Sequence, residues 1–82
     1  MELKVGQVME SLAGHDKGEL FAVKEIANRK VLICDGKSRK LEKPKAKNVR
    51  HVALTDVTLE KDSMATNRKL RKTLNKIANP GG

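Results

Sequence analysis

Val31-Leu32-Ile33-Cys34, followed at once by Asp35-Gly36, decides the fold class. An apolar, partly β-branched run of this length suits a central strand. Asp-Gly directly after a strand is a strong hairpin signal, because glycine takes positive φ without steric cost. The chain is expected to reverse there and return as a short strand over Ser38 to Leu41. Upstream, Leu20 to Ile26 sets Phe21 and Val23 on one face and Ala22 and Lys24 on the other. Asn28-Arg29 then reads as the turn between these two strands. Earlier still, Val5 to Ala13 is a first strand, ended by the polar, glycine-bracketed stretch Gly14-His15-Asp16-Lys17-Gly18. Downstream, Pro44 breaks regular structure, and Lys45-Ala46-Lys47-Asn48 reads as a loop or a short turn. Val49 to Val57 is a last strand, with Val52 and Leu54 on alternate positions and Val57 as a further apolar residue among polar ones. Several short strands in so short a stretch predict a small β-barrel, which also removes most exposed strand edges.

The chain changes character after residue 58. Ser63 to Ala78 contains no Gly or Pro. Leu70, Leu74 and Ile77 fall at i, i+4 and i+7, one face of a helix. Asp62 or Ser63 can cap its start, and Asn79-Pro80-Gly81-Gly82 stops it. Five basic residues and no acidic one lie between Asn67 and Ala78: Arg68, Lys69, Arg71, Lys72 and Lys76. The expected organisation is a barrel over 1–58, a linker over 59–62, a basic amphipathic helix over 63–79 and a disordered tail over 80–82.

Charge narrows the function classes. The 82 residues carry 18 Lys+Arg and 10 Asp+Glu, a formal net charge of +8. Residues 1–28 hold three basic and five acidic groups, residues 29–51 nine and two, and residues 52–82 six and three. The positive charge is thus concentrated in the middle and at the end. Such a field attracts polyanions: nucleic acid, an anionic membrane or an acidic protein. Solubility alone does not require that clustering. The run Val31 to Cys34 is far shorter than a membrane span, and Met1-Glu2-Leu3-Lys4 carries no apolar signal-peptide core. A single cysteine excludes an intrachain disulfide and a Cys-rich zinc module, and it suits a reducing, cytoplasmic setting.

Catalysis and metal binding find little support. His15 and His51 lie on separate segments and, with one Cys, make no zinc pattern. Cys34, inside an apolar strand, reads as a small core residue rather than a nucleophile. Asp16 and Asp35 lie in turns, where carboxylates commonly accept from backbone N–H groups. Gly14 to Gly18 is too short for a P-loop and lacks its Gly-Lys-Ser/Thr ending. The chain is therefore expected to be no enzyme and to carry no cofactor or metal.

The run from Val5 to Ile26, with Gly6, Val8, Gly14, Asp16-Lys17-Gly18 and Val23, resembles the KOW motif: a strand, a glycine-marked loop and a second strand. The likeness continues through Val31-Leu32-Ile33-Cys34-Asp35-Gly36-Lys37, Arg39-Lys40-Leu41-Glu42-Lys43-Pro44-Lys45 and Lys47-Asn48-Val49-Arg50-His51. In that order these segments resemble the large-subunit ribosomal protein family 14e/6e/27e and related bacterial KOW-domain RNA-binding proteins, over roughly residues 4–57. The resemblance implies an SH3-like barrel that contacts ribosomal RNA, with the loop Gly14 to Gly18 reaching the partner. Members of that family often carry Arg where this chain has His15, which removes a fixed positive charge from the loop. The C-terminal helix lies outside the motif.

The residues suit RNA in their own right. Affinity for RNA comes mostly from Lys and Arg displacing counterions from phosphates. Lys37, Arg39, Lys40, Lys43, Lys45, Lys47 and Arg50 lie close together in sequence. If Lys37 to Leu41 is a strand, Lys37 and Arg39 share a side and Lys40 faces the other, so the run wraps an edge. Arg39 and Arg50 can grip phosphate with two N–H groups. The expected RNA-binding set is Gly14, His15, Lys17, Lys37, Arg39, Lys40, Lys43, Lys45, Lys47, Asn48, Arg50 and His51, joined by Arg68, Lys69, Arg71 and Lys72 of the helix. The alternative for the middle segment is a solvated charged hairpin. For the helix it is simple docking of Leu70, Leu74 and Ile77 on the barrel; the two roles are compatible. A helix lying on anionic membrane would be expected to show Trp or Phe on its apolar face, and this one has neither. Phe21 is the only aromatic residue, so no platform for stacking single-stranded bases exists, and recognition is expected to rest on phosphates and shape.

The expected partner is structured RNA, foremost large-subunit rRNA, with neighbouring ribosomal proteins as further contacts and a monomer when free. Two other functions share these features: a KOW module that binds protein in transcription or translation, and a free-standing RNA-binding regulator.

Overall fold

The computed structural model describes residues 3–79, and in it alternation along the strands creates two apolar faces. Strands β1 (Gln7–Ser11), β2 (Leu20–Ala27), β3 (Lys30–Cys34), β4 (Lys45–Asn48) and β5 (Val52–Thr58) form one antiparallel sheet in the order β4-β3-β2-β1-β5. Met9, Phe21, Val23, Val31 and Ile33 pack on one face, with Val49, Val52 and Leu54 against them. Val8, Ala22 and Cys34 point the other way. That second face is covered by α1 (Asn67–Ala78), whose Leu70 and Leu74 are buried on it and whose Ile77 packs alongside. The expected i, i+4, i+7 docking face is therefore the one used. Each Leu contributes about 1.5–3 kcal/mol when fully removed from water.

The fold is thus mainly β, a five-stranded antiparallel sheet with one C-terminal helix. Its edges, β4 and β5, make no ladder with each other among the described residues; a 3-10 turn, Val49–His51, joins them. Register shifts in the β2–β3 pair, between Val23 and Glu25, and in the β1–β5 pair, between Gln7 and Met9, interrupt the ladders, and such irregularities bend a sheet. At the second shift the Thr55 hydroxyl donates to the Val8 carbonyl (2.7 Å), and the Gln7 side-chain amide donates to the Thr55 carbonyl (2.7 Å).

β2 and β3 match the expected strands closely, and Asn28, at φ 57°, makes the tight turn expected between them. β1 is shorter than Val5 to Ala13. Two other expectations are overturned. Ser38 to Leu41 is not a strand. Asp35 Oδ1 accepts from the backbone N–H of Lys37 (2.9 Å) and of Arg39 (2.8 Å), and the Arg39 carbonyl accepts from Asp35 N (2.8 Å) and Gly36 N (3.1 Å). These bonds close a loop in place of a two-residue hairpin. The returning strand comes later, as Lys45–Asn48, where a loop was expected. It pairs Val31 with Lys47 and Ile33 with Lys45. The last strand starts at Val52 rather than Val49, because Asn48 Oδ1 accepts from Arg50 N (2.9 Å) and nucleates the 3-10 turn. The helix begins at Asn67, with Thr66 as its cap (Lys69 N to Thr66 Oγ1, 3.1 Å); Asp62 and Ser63 lie in a separate 3-10 turn, Lys61–Met64, that includes part of the expected linker. The tail expected at 80–82 lies outside the described residues.

Candidate nucleic-acid interface

Loop 35–43 is shaped by its own carboxylate and by α1. Gly36 sits so close to the helix start that an added Cβ would lie 2.2 Å from the Asn67 carbonyl oxygen. At Gly36, φ 77° also disfavours any side chain. Asn67 holds the far end of the loop from both sides: its Oδ1 accepts from Leu41 N (2.7 Å) and its Nδ2 donates to Glu42 Oε1 (2.6 Å). The Lys24 ammonium donates to the Leu41 carbonyl. The first residue of the helix thus fixes the segment that displays Lys37, Arg39, Lys40 and Lys43, all exposed.

The β1–β2 loop is held by Asp16. Its Oδ1 accepts from the Ser11 hydroxyl (2.7 Å) and the Lys47 ammonium (2.8 Å), and Lys45 Nζ lies 3.5 Å from Oδ2. Lys47 also donates to the Ala13 carbonyl (2.7 Å). Burial on its own would raise the Asp16 pKa. The hydrogen bonds from Lys47 and Ser11 and the charge of Lys45 outweigh it and hold the carboxyl well below its ordinary 3.8. Asp16 is therefore more than a turn residue: it ties the loop to edge strand β4. The Lys47 side chain is only 7% exposed. Its ammonium is turned inward, so it braces the site from within instead of facing a phosphate; Lys45 is partly exposed beside the same acid.

Three crevices connect these segments. Gly14 lines one with Lys45, Lys47, Asn48 and His51 of the β4 region. His15 lines the next with Ser38, Arg39 and Lys45. Arg39, Lys40 and Lys43 border a third with Glu42. The structure thus brings together Gly14, His15, Lys37, Arg39, Lys40, Lys43, Lys45 and Lys47 at one end of the sheet, and Arg71 reaches this end from the helix, sharing a further groove with Lys37; Asn48 closes β4 opposite Lys30, at the β2–β3 turn, and with His51 borders only the Gly14 crevice. Lys17 is exposed on the β1–β2 loop, with its N–H given to the Gly14 carbonyl (3.3 Å), and Arg50 is exposed in the 3-10 turn. Arg68, Lys69 and Lys72 line none of these crevices. Lys69 is paired with Asp62 (3.0 Å) at an exposed site.

Among the 12 Lys and Arg residues of the expected set, only Lys45, Lys47 and Lys69 make ion pairs in the described residues; the other nine are exposed. Asp16, Ser38 and Asn67 were not singled out from sequence for these roles. The one available signal was the run Asp16-Lys17-Gly18, which marks a loop but not the lysine that closes it.

Cys34 is fully buried, with its thiol near the Ala22 carbonyl (3.8 Å). Burial pushes its pKa up to about 11; Lys24 opposes that shift and Asp35 adds to it. At neutral pH the group is a thiol and a poor nucleophile. Among the described residues no three His, Cys, Asp or Glu side chains gather as metal ligands, and no helix is long and apolar enough to cross a membrane. No protein-family model and no curated protein matches this chain.

Proposed function

We propose that this chain binds structured RNA, with large-subunit ribosomal RNA as its target, through a KOW-type SH3-like barrel. A sheet whose first strand pairs with both the second and the last, bent by register shifts around a shared interior, supports the barrel reading. One observation carries the function. Two loops remote in sequence, 14–18 and 35–43, meet in one crevice where His15, Arg39 and Lys45 stand together beside Asp16 and Glu19. The backbone of the basic loop is also held in place by α1, so the points from which its cations project are fixed, which lowers the entropy cost of binding. Phosphate recognition by shape fits a chain without Trp or Tyr whose one Phe, Phe21, is buried.

The test is affinity for an RNA stem across a salt series. Five to seven phosphate contacts give a log–log slope of about −3 to −6. Arg39→Ala with Lys40→Ala weakens binding and leaves the melting temperature nearly unchanged, because both side chains are exposed. A flat salt dependence would overturn the proposal and favour a protein partner. Co-sedimentation with large subunits in low and high salt tests the ribosomal target.

A further inference from the structure

We infer that the groove between the β1–β2 loop and α1 receives one unpaired nucleotide of the bound RNA and favours guanine; this rests on the RNA-binding reading above. The groove holds about 280 Å³. Drug-sized ligand pockets begin near ~300 Å³, so this space suits a single base. Leu20, Leu74 and Ala78 supply an apolar floor, and Lys37 and Arg71 are the cations on its walls. Gly18 forms part of the lip, and no atom lies within 4 Å of the place where its Cβ would stand. That side of the groove is open.

The groove also carries acid, and its Glu19 is shared with the neighbouring crevice of His15, Arg39 and Lys45. In a chain of net charge +8, two carboxylates line this groove, Glu19 and Asp35. Asp35 gives its Oδ1 to the backbone of its own loop, accepting from Lys37 N and Arg39 N. Glu19 is exposed and makes no ion pair among the described residues. A carboxylate on a phosphate-binding face repels phosphate, but it accepts N–H groups from a base. Guanine presents N1–H and N2–H side by side, a pair of donors that matches the two oxygens of one carboxylate. Adenine and cytosine offer only an amino group there, and uracil flanks its single N–H with two carbonyls. Asn75, also on the groove wall, adds an amide that can both donate and accept. The flanking phosphates then lie by Lys37 and Arg71. The base packs on aliphatic side chains, because no aromatic residue lines the groove.

Three RNA hairpins test this, identical except for a fully paired stem, a single bulged guanosine or a single bulged adenosine. The full chain is expected to bind the guanosine bulge about tenfold or more tighter than the other two, the scale of one good two-point base contact. Glu19→Gln, an exposed substitution, is expected to erase that preference while binding the paired stem no more weakly than the wild type. Equal affinity for all three hairpins, or a guanosine preference that survives Glu19→Gln, overturns the inference and leaves RNA binding intact. Binding to none of the three removes the RNA reading and this one with it.

Discussion

Replacing Asp16 with Asn removes one negative charge and little volume. The side chains of Asp16 and Lys47 are 11% and 7% exposed, so the ammonium of Lys47 would be left almost buried without its counter-charge. Removing one partner of a buried pair costs about 3–5 kcal/mol. Asn keeps an acceptor for Ser11 and Lys47, and Lys47 still donates to Ala13, so the lower end, about 3 kcal/mol, is expected. For a domain of this size each kcal/mol moves the melting temperature by about 4–8 °C, which gives a fall of about 12–24 °C. Thermal and urea unfolding followed by circular dichroism at pH 7 measure it. The acid arm supplies a sign. The folded carboxyl has a pKa below 3.8, so the pair's contribution is fully present above about pH 4 and is lost as pH falls through the folded value. The gap between wild type and Asp16→Asn should therefore narrow in acid. Adding Lys47→Met should recover most of the loss, since both buried charges then go. A loss under about 1 kcal/mol at pH 7, or a gap indifferent to acid, would refute the reasoning that the pair holds the loop to β4.

Three further outcomes follow from the helix-covered face. Leu74→Ala, at a side chain 5% exposed, should lower stability by about 2–5 kcal/mol in urea melts. Cys34 should resist a thiol reagent at pH 8 until the protein is unfolded. Its unfolded pKa of 9.0 lies below the folded value of about 11, so stability should fall as pH rises from about 9 toward 11, and the slope should be absent from Cys34→Ala.

What could be read in the sequence followed where apolar pattern carried the information. β2 and β3 announce themselves through Phe21, Val23, Val31 and Ile33, and the docked face of α1 through Leu70, Leu74 and Ile77. β4 carries no such pattern. Lys45-Ala46-Lys47-Asn48 is polar, and Lys47 is buried only because an acid 31 residues earlier neutralises it. The Ser38–Leu41 region was misread for a related reason. Asp35-Gly36 does start a reversal, but the bonds that shape it come from the Asp35 side chain and from Asn67, 26 residues beyond Leu41. For the candidate interface, the basic segments were visible, while their meeting at one end of the sheet depends on the β1–β2 loop reaching β4. The two groups of helix cations, Arg71 on the groove and Lys69 paired with Asp62, look alike in the chain and differ only in where the helix is turned.

The pairing of β1 with β5 governs how the molecule can assemble. The β1–β2 and β2–β3 hairpins are local, and each can zip from its own turn. The other flank of β1 stays open until Val52 to Thr58 arrives, with Met9 meeting Leu54 and Ser11 meeting Val52 across a long intervening chain. That closure entropy must be met before the ladder contributes anything. A nascent or nicked chain lacking its fifth strand would expose the unpaired edge of β1 beside Phe21, a template for self-association, so the last strand sets the moment at which the protein becomes safe from aggregation.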